Sequence, residues 1–170
     1  FDLSQVPAKN RPQALQLELA QWTPFTQSTY YIGWHAAQAL VWAWDHTATQ
    51  AAIQAQGLKP ARVTVIPETL LQQPQTLGLY LRCGLEGFEG QLWQHSQLTH
   101  SRWWAQPPSA EQWLMFQRDA GTPPEQQQNQ PVAPQPSPLG TQAWLSAANA
   151  DHNTANLLPS LAAALAALLL

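Results

Sequence analysis

The sequence predicts an α/β fold: a domain over residues 1–121 with antiparallel strands and flanking helices, a Pro/Gln-rich linker over 122–140, and an apolar C-terminal segment. Three observations predict it. Up to Gly121, stretches with helical apolar spacing alternate with stretches rich in β-branched and aromatic residues. "TPPEQQQNQPVAPQPSPLG" (122–140) then offers almost no large apolar side chain, so burial cannot offset its ordering entropy, and it reads as a linker without regular structure. Residues 141–170 read as a helical segment ending in "LLPSLAAALAALLL", which has no polar group after Ser160.

The elements follow in order. Pro12 suits a first helical turn, and Ala14, Leu15, Leu17, Leu19 and Trp22 supply apolar positions up to the Thr23-Pro24 stop. Residues 30–34 and 39–44 read as two strands of a hairpin turning near His35 to Gln38. Asp45 or Thr47 is placed to cap a helix over 48–56, with Gly57 as its C′ residue. "ARVTVI" (61–66) is the clearest strand, stopped by Pro67 and followed by a short helix over 68–72. "LGLYLRC" opens a second set of strands, "GLEGFEG" supplies turn glycines, and "QLWQHSQ" and "LTHSRWW" alternate like two more strands. Ser109 with Gln112 forms a capping box for an amphipathic helix closed by Gly121. Three meandering strands followed by a helix is how an RNase-H-like half of an actin-type fold begins.

Composition narrows the function. Of the 170 residues 45% are hydrophobic and only 10% charged, well under the roughly 25% of ordinary soluble domains. Up to Arg118 seven basic residues face seven acidic ones, and beyond it come only Asp119, Glu125 and Asp151. No basic patch exists on which a nucleic-acid groove could rest. Cys83, the only cysteine, excludes an internal disulfide and a multi-cysteine zinc site, and reads as a small buried strand residue. The sequence contains no phosphate-binding loop and no dinucleotide fingerprint. His35, His46, His95, His100 and His152 are scattered, and Glu86 and Glu89 read as solvated turn residues rather than an acid–base pair. No catalytic residue, metal ligand or cofactor site is expected.

The hairpin raises a separate question, because Trp34, Trp42 and Trp44 sit close together on it. Trp42 and Trp44 share one strand face and Trp34 lies on the partner strand, so cross-strand core packing is the first reading. A surface that meets another protein is the functional alternative, since tryptophan is enriched at interface anchors.

Several phrases then fall in a familiar order: "VPAKNRPQALQLELAQWTPF", the hairpin, "GLKPARVTVIPETLL" and "LGLYLRCGLEGFEGQLW". Over roughly residues 3–118 they resemble the type II secretion L component and the related PilM/PilN-type fimbrial assembly proteins. The resemblance implies a partial actin-like cytoplasmic domain, one transmembrane helix and a periplasmic part, localised to the bacterial inner membrane. It also implies a non-enzymatic scaffold that docks an assembly ATPase and pairs with inner-membrane platform proteins, as a homodimer or heterodimer. A soluble ligand-binding module and a degenerate actin-like nucleotide-binding protein are the alternatives, and the nucleotide-gripping loops of the ATP-binding relatives have no counterpart here.

The ends carry two further expectations. The chain starts at Phe1 with no signal peptide, and reads as a trimmed piece of something longer. The last fourteen residues rise only about 21 Å as a helix against a hydrocarbon core of about 30 Å. Apolar on every face, they read as the first half of a transmembrane helix continuing past residue 170.

Overall fold

A computed structural model describes residues 1–147. It is a mixed α/β structure with four helices, a two-stranded antiparallel sheet and a four-stranded mixed sheet. Contacts divide the described residues into two units, 1–67 with 145–147, and Glu68–Trp144.

The first unit is a hairpin with a helix on one face. Helix α1 (Arg11–Trp22) carries Pro12 in its first turn, where a missing N–H costs nothing. Strands β1 (Ser28–His35) and β2 (Gln38–Asp45) pair antiparallel, Ile32 opposite Val41 and Trp34 opposite Ala39. Leu15 and Leu19, one turn apart on α1, close on Leu3 and Ala39, with Ile32, Trp34 and Val41 around them. The N-terminal residues add a short third edge: Ala39 N–H donates to the Phe1 carbonyl and Leu3 N–H to the Ala37 carbonyl, both at 2.9 Å. Helix α2 (His46–Ala55) starts on the Asp45 carboxylate, which accepts from Ala48 N–H at 2.7 Å. It ends on Gly57 at φ +71°, as the sequence expects, and buries no residue of its own.

The strand expected over 61–66 does not form. Pro60 opens a 3-10 turn that takes up Ala61 and Arg62, and the rest runs extended to Pro67. Val63 and Val65 are half-buried while Thr64 and Ile66 point outward, so the alternation serves packing without a ladder partner. The hairpin and the later meander form separate sheets.

The second unit is a sheet covered on both faces. Helix α3 (Glu68–Leu71) is a single turn, followed by strands β3 (Gly78–Cys83), β4 (Phe88–Gln94) and β5 (Gln97–Trp104). They form an antiparallel meander, and a two-residue strand β6 (Gln135–Pro136) joins β3 in parallel. The β4–β5 turn places two non-glycine residues, His95 and Ser96, at positive φ, the pattern of a type I′ hairpin. A bulge at Thr99 then pairs Leu98 with Trp93 and His100 with Leu92. Helix α4 (Ala110–Asp119) begins with the complete Ser109/Gln112 capping box and ends on Gly121 at φ +72°. Its buried Trp113 and Phe116 join Leu81, Leu92 and Trp104 in an aromatic core.

Residues 122–140 depart from the free linker read in the sequence. Gln117 of α4 holds them through its side-chain amide, donating to the Gln128 carbonyl and accepting from Gln128 N–H, both at 2.8 Å. Val132 packs on the aromatic core, β6 lies along β3, and Gly140 N–H donates to the Leu71 carbonyl. Glutamine amides bonded to backbone do here what apolar side chains do elsewhere. Residues 141–147 are not helical. No helix among the described residues is long and apolar enough to cross a membrane, and the expected transmembrane half-helix lies outside them.

Candidate functional site

The three hairpin tryptophans do not share a surface. Trp34 faces α1 within the first core, whereas the register puts Trp42 opposite Tyr31 and Trp44 opposite Thr29, on the other face. That second face is covered in part: Leu145 lies where a Cβ on Gly33 would go, and the Tyr31 hydroxyl donates to the Leu145 carbonyl at 2.7 Å. Tyr31 and Trp42 meet edge to face with ring centroids 6.2 Å apart, and Trp42 Nε1 is buried without a partner. All three tryptophans are half-buried.

The densest polar constellation lies instead on β4. Alternation sends Phe88, Gly90 and Leu92 to the α4 face, and Glu89, Gln91 and Trp93 to the face under α3. Glu89, read in the sequence as a solvated turn residue, is 9% exposed. Its carboxylate accepts from Thr69 Oγ1 at 2.8 Å and from Gln91 Nε2 at 2.9 Å, and Ser101 adds a third side-chain bond. Gln91 Nε2 also reaches Gln72 Oε1 at 2.7 Å, while Gln91 Oε1 accepts from Trp93 Nε1 at 2.9 Å. Trp144 lies against Trp93 with centroids 5.3 Å apart and donates its indole N–H to the Thr69 carbonyl. The sequence misplaced Glu89 because its flanking glycines suggested a turn reaching past Phe88. The signal for the correct reading was the alternation E-G-Q-L-W, which already puts Glu89 in phase with Gln91 and Trp93.

Burial pushes the Glu89 carboxyl above the usual carboxylate range; the bonds from Gln91, Thr69 and Ser101 oppose that shift, and the Glu68 charge adds to it. Glu68 itself clasps the β3–β4 turn, accepting from Leu85 N–H at 3.1 Å. Glu86 is exposed. A general acid or base must reach a substrate proton, and the donors around Glu89 belong to the protein's own packing.

The remaining reactive side chains are apart from it. His100 contacts the Phe116 ring and, with Arg102 and Asp119, lines a small depression of about 210 Å³ on the α4 face. Arg102 and Asp119 neutralise each other there at 3.1 Å. Cys83, expected to be buried, is exposed at the end of β3. Among the described residues no group of three or more His, Cys, Asp or Glu is placed to hold a metal ion.

Comparison of the chain with protein-family models, with curated proteins and with solved structures finds no match.

Proposed function

We propose that this chain is a non-enzymatic scaffold component of an inner-membrane secretion or type IV pilus assembly platform, acting mainly on the cytoplasmic side. The observation that carries the reading is the state of Glu89. The one buried carboxyl among the described residues has its oxygens engaged by Thr69, Gln91 and Ser101, so it is spent on holding the sheet. Large apolar side chains stand outward instead: Leu85 at the β3–β4 turn, Trp103 on the outer strand β5 and Leu77 before β3. Exposed aromatic and aliphatic groups of this kind suit protein contact rather than turnover. The β3–β4–β5 meander followed by α4 supports the finer reading of a partial actin-like, RNase-H-like half, and the ordered phrases over 3–118 support the platform family.

On this reading the partners are an assembly ATPase and similar membrane subunits, and the apolar C-terminal run anchors the assembly. Affinity purification from a bacterial membrane extract tests it. The expected result is co-elution of a secretion or pilus ATPase or of an inner-membrane partner, with the full-length protein resisting carbonate extraction. Clean recovery in the soluble fraction, or saturable micromolar binding of magnesium–ATP, would overturn the scaffold reading in favour of a ligand- or nucleotide-binding module.

A further inference from the structure

Leu85 and Trp103 are 80% and 60% exposed, and both stand at the β3–β4 turn end of the second sheet. Trp103 pairs across the ladder with Glu89, on the face under α3, and takes no part in the buried aromatic cluster. Its indole packs on Gly87 so closely that a Cβ there would come within 2.8 Å of Nε1. The turn between them is held from below, with Glu68 accepting from Leu85 N–H at 3.1 Å. The ring and the turn backbone are thus fixed in place, so a contact made here loses little further ordering entropy.

The charges around this pair are of one sign. Glu86, between Leu85 and Gly87, is exposed and has no ion-pair or hydrogen-bond partner among the described residues. Glu68 bonds a neutral donor, the Leu85 N–H, and its charge reaches as far as Glu89. The nearest bases are engaged elsewhere. Arg102 pairs with Asp119 on the α4 face, and Arg82 lies buried against Tyr80 and Gln135. An indole face attracts a cation, and a guanidinium can stack on a ring while its N–H groups bond a carboxylate.

We propose that Leu85, Trp103, Glu86 and Glu68 form a docking surface for a basic segment of a partner protein, an arginine beside an aliphatic residue. The guanidinium lies on the open side of the Trp103 indole and pairs with Glu86, within the negative field of Glu68. The aliphatic neighbour covers Leu85. This inference rests on the scaffold reading and names the surface and chemistry of one of its contacts.

Selection from a random displayed peptide library on the full chain tests it, with clones that also bind the Trp103→Ala protein discarded. The retained peptides should carry arginine next to Leu, Ile or Val. Replacing that arginine by citrulline, its neutral isostere, should weaken binding about tenfold, and Trp103→Leu, which keeps an apolar group but removes the ring, should do the same. Glu86→Lys should weaken binding as well, and added salt should reduce the affinity of the unaltered protein. Unchanged melting temperatures of the three variants show that the losses are local. No Trp103-dependent clone, acidic or uncharged selected peptides, or affinities indifferent to citrulline or to Trp103→Leu would each overturn the basic-segment surface. The scaffold reading fails separately, when membrane partners do not co-purify; their retention by the Trp103→Ala protein would place the platform contact on another surface.

Discussion

Strand β4 presents two faces built on opposite principles. Toward α4 it offers Phe88, Gly90 and Leu92, and the contact is one of volume: Trp104 and Phe116 lie so close that a Cβ on Gly90 would come within 2.8 Å of the Trp104 ring. Toward α3 it offers Glu89, Gln91 and Trp93, and the contact is one of direction, with each polar atom aimed at a partner. Packing by volume tolerates exchange of shapes but not loss of bulk. Packing by hydrogen bonds tolerates loss of bulk better than loss of a single donor, because each abandoned partner keeps its desolvation cost.

Four tests sharpen or break this contrast, the largest effect first. Phe116→Ala removes a ring that touches Trp104, Trp113 and His100, and should cost about 3–5 kcal/mol in denaturant unfolding. Gln91→Leu nearly conserves volume yet strands Gln72 Oε1 and Trp93 Nε1, so about 2–4 kcal/mol should be lost. Its matched control on the other face, Leu92→Met, should cost under about 1.5 kcal/mol. If Gln91→Leu proves as mild as Leu92→Met, the distinction between the faces collapses.

The third test uses pH. With its carboxyl raised by burial, Glu89 holds its proton more firmly in the folded than in the unfolded chain. Its contribution is therefore greatest below the ordinary carboxylate value and declines as pH rises toward and through the folded value. Glu89→Gln removes this titration, and the Thr69 and Ser101 hydroxyls can turn to accept from the new amide. The variant should gain stability relative to the parent as pH rises above the ordinary carboxylate range, by about 1.4 kcal/mol for each unit by which the carboxyl is raised. A constant difference over that rise would show that Glu89 does not titrate with folding. Smallest of all, breaking the Arg102–Asp119 pair at the rim of the α4 face should cost no more than about 1 kcal/mol, and less in high salt.

Local signals were legible in the sequence wherever a single residue decides the outcome. Pro12, Asp45, Gly57, the Ser109/Gln112 box and Gly121 each occupy the place their chemistry suggested. The order of hairpin, meander and closing helix was legible for the same reason. What escaped is non-local. Residues 61–66 alternate like a strand, but a strand needs a partner ladder, and no pattern within six residues can supply one. The docking of 122–140 rests on Gln117 and Arg82 meeting residues 11 and 53 positions away, which composition does not encode. Of the candidate site, the alternation placing Glu89 with Gln91 was present in the text, while the donors from Thr69 and Ser101 come from other elements. The separation of Trp34 from Trp42 and Trp44 follows from register alone and could have been read from the hairpin turn.

Helix α2 has a consequence of its own. It is bounded well at both ends yet buries no side chain, so tertiary packing adds little to its own ten-residue ladder. A helix of that length on its own is marginal in water, and its amides should exchange with solvent through brief local fraying, long before the strands open. Amide protons of the β4 ladder should persist until the second unit unfolds as a whole. The first cleavage by a protease able to enter a loosened turn should accordingly fall between Asp45 and Gly57.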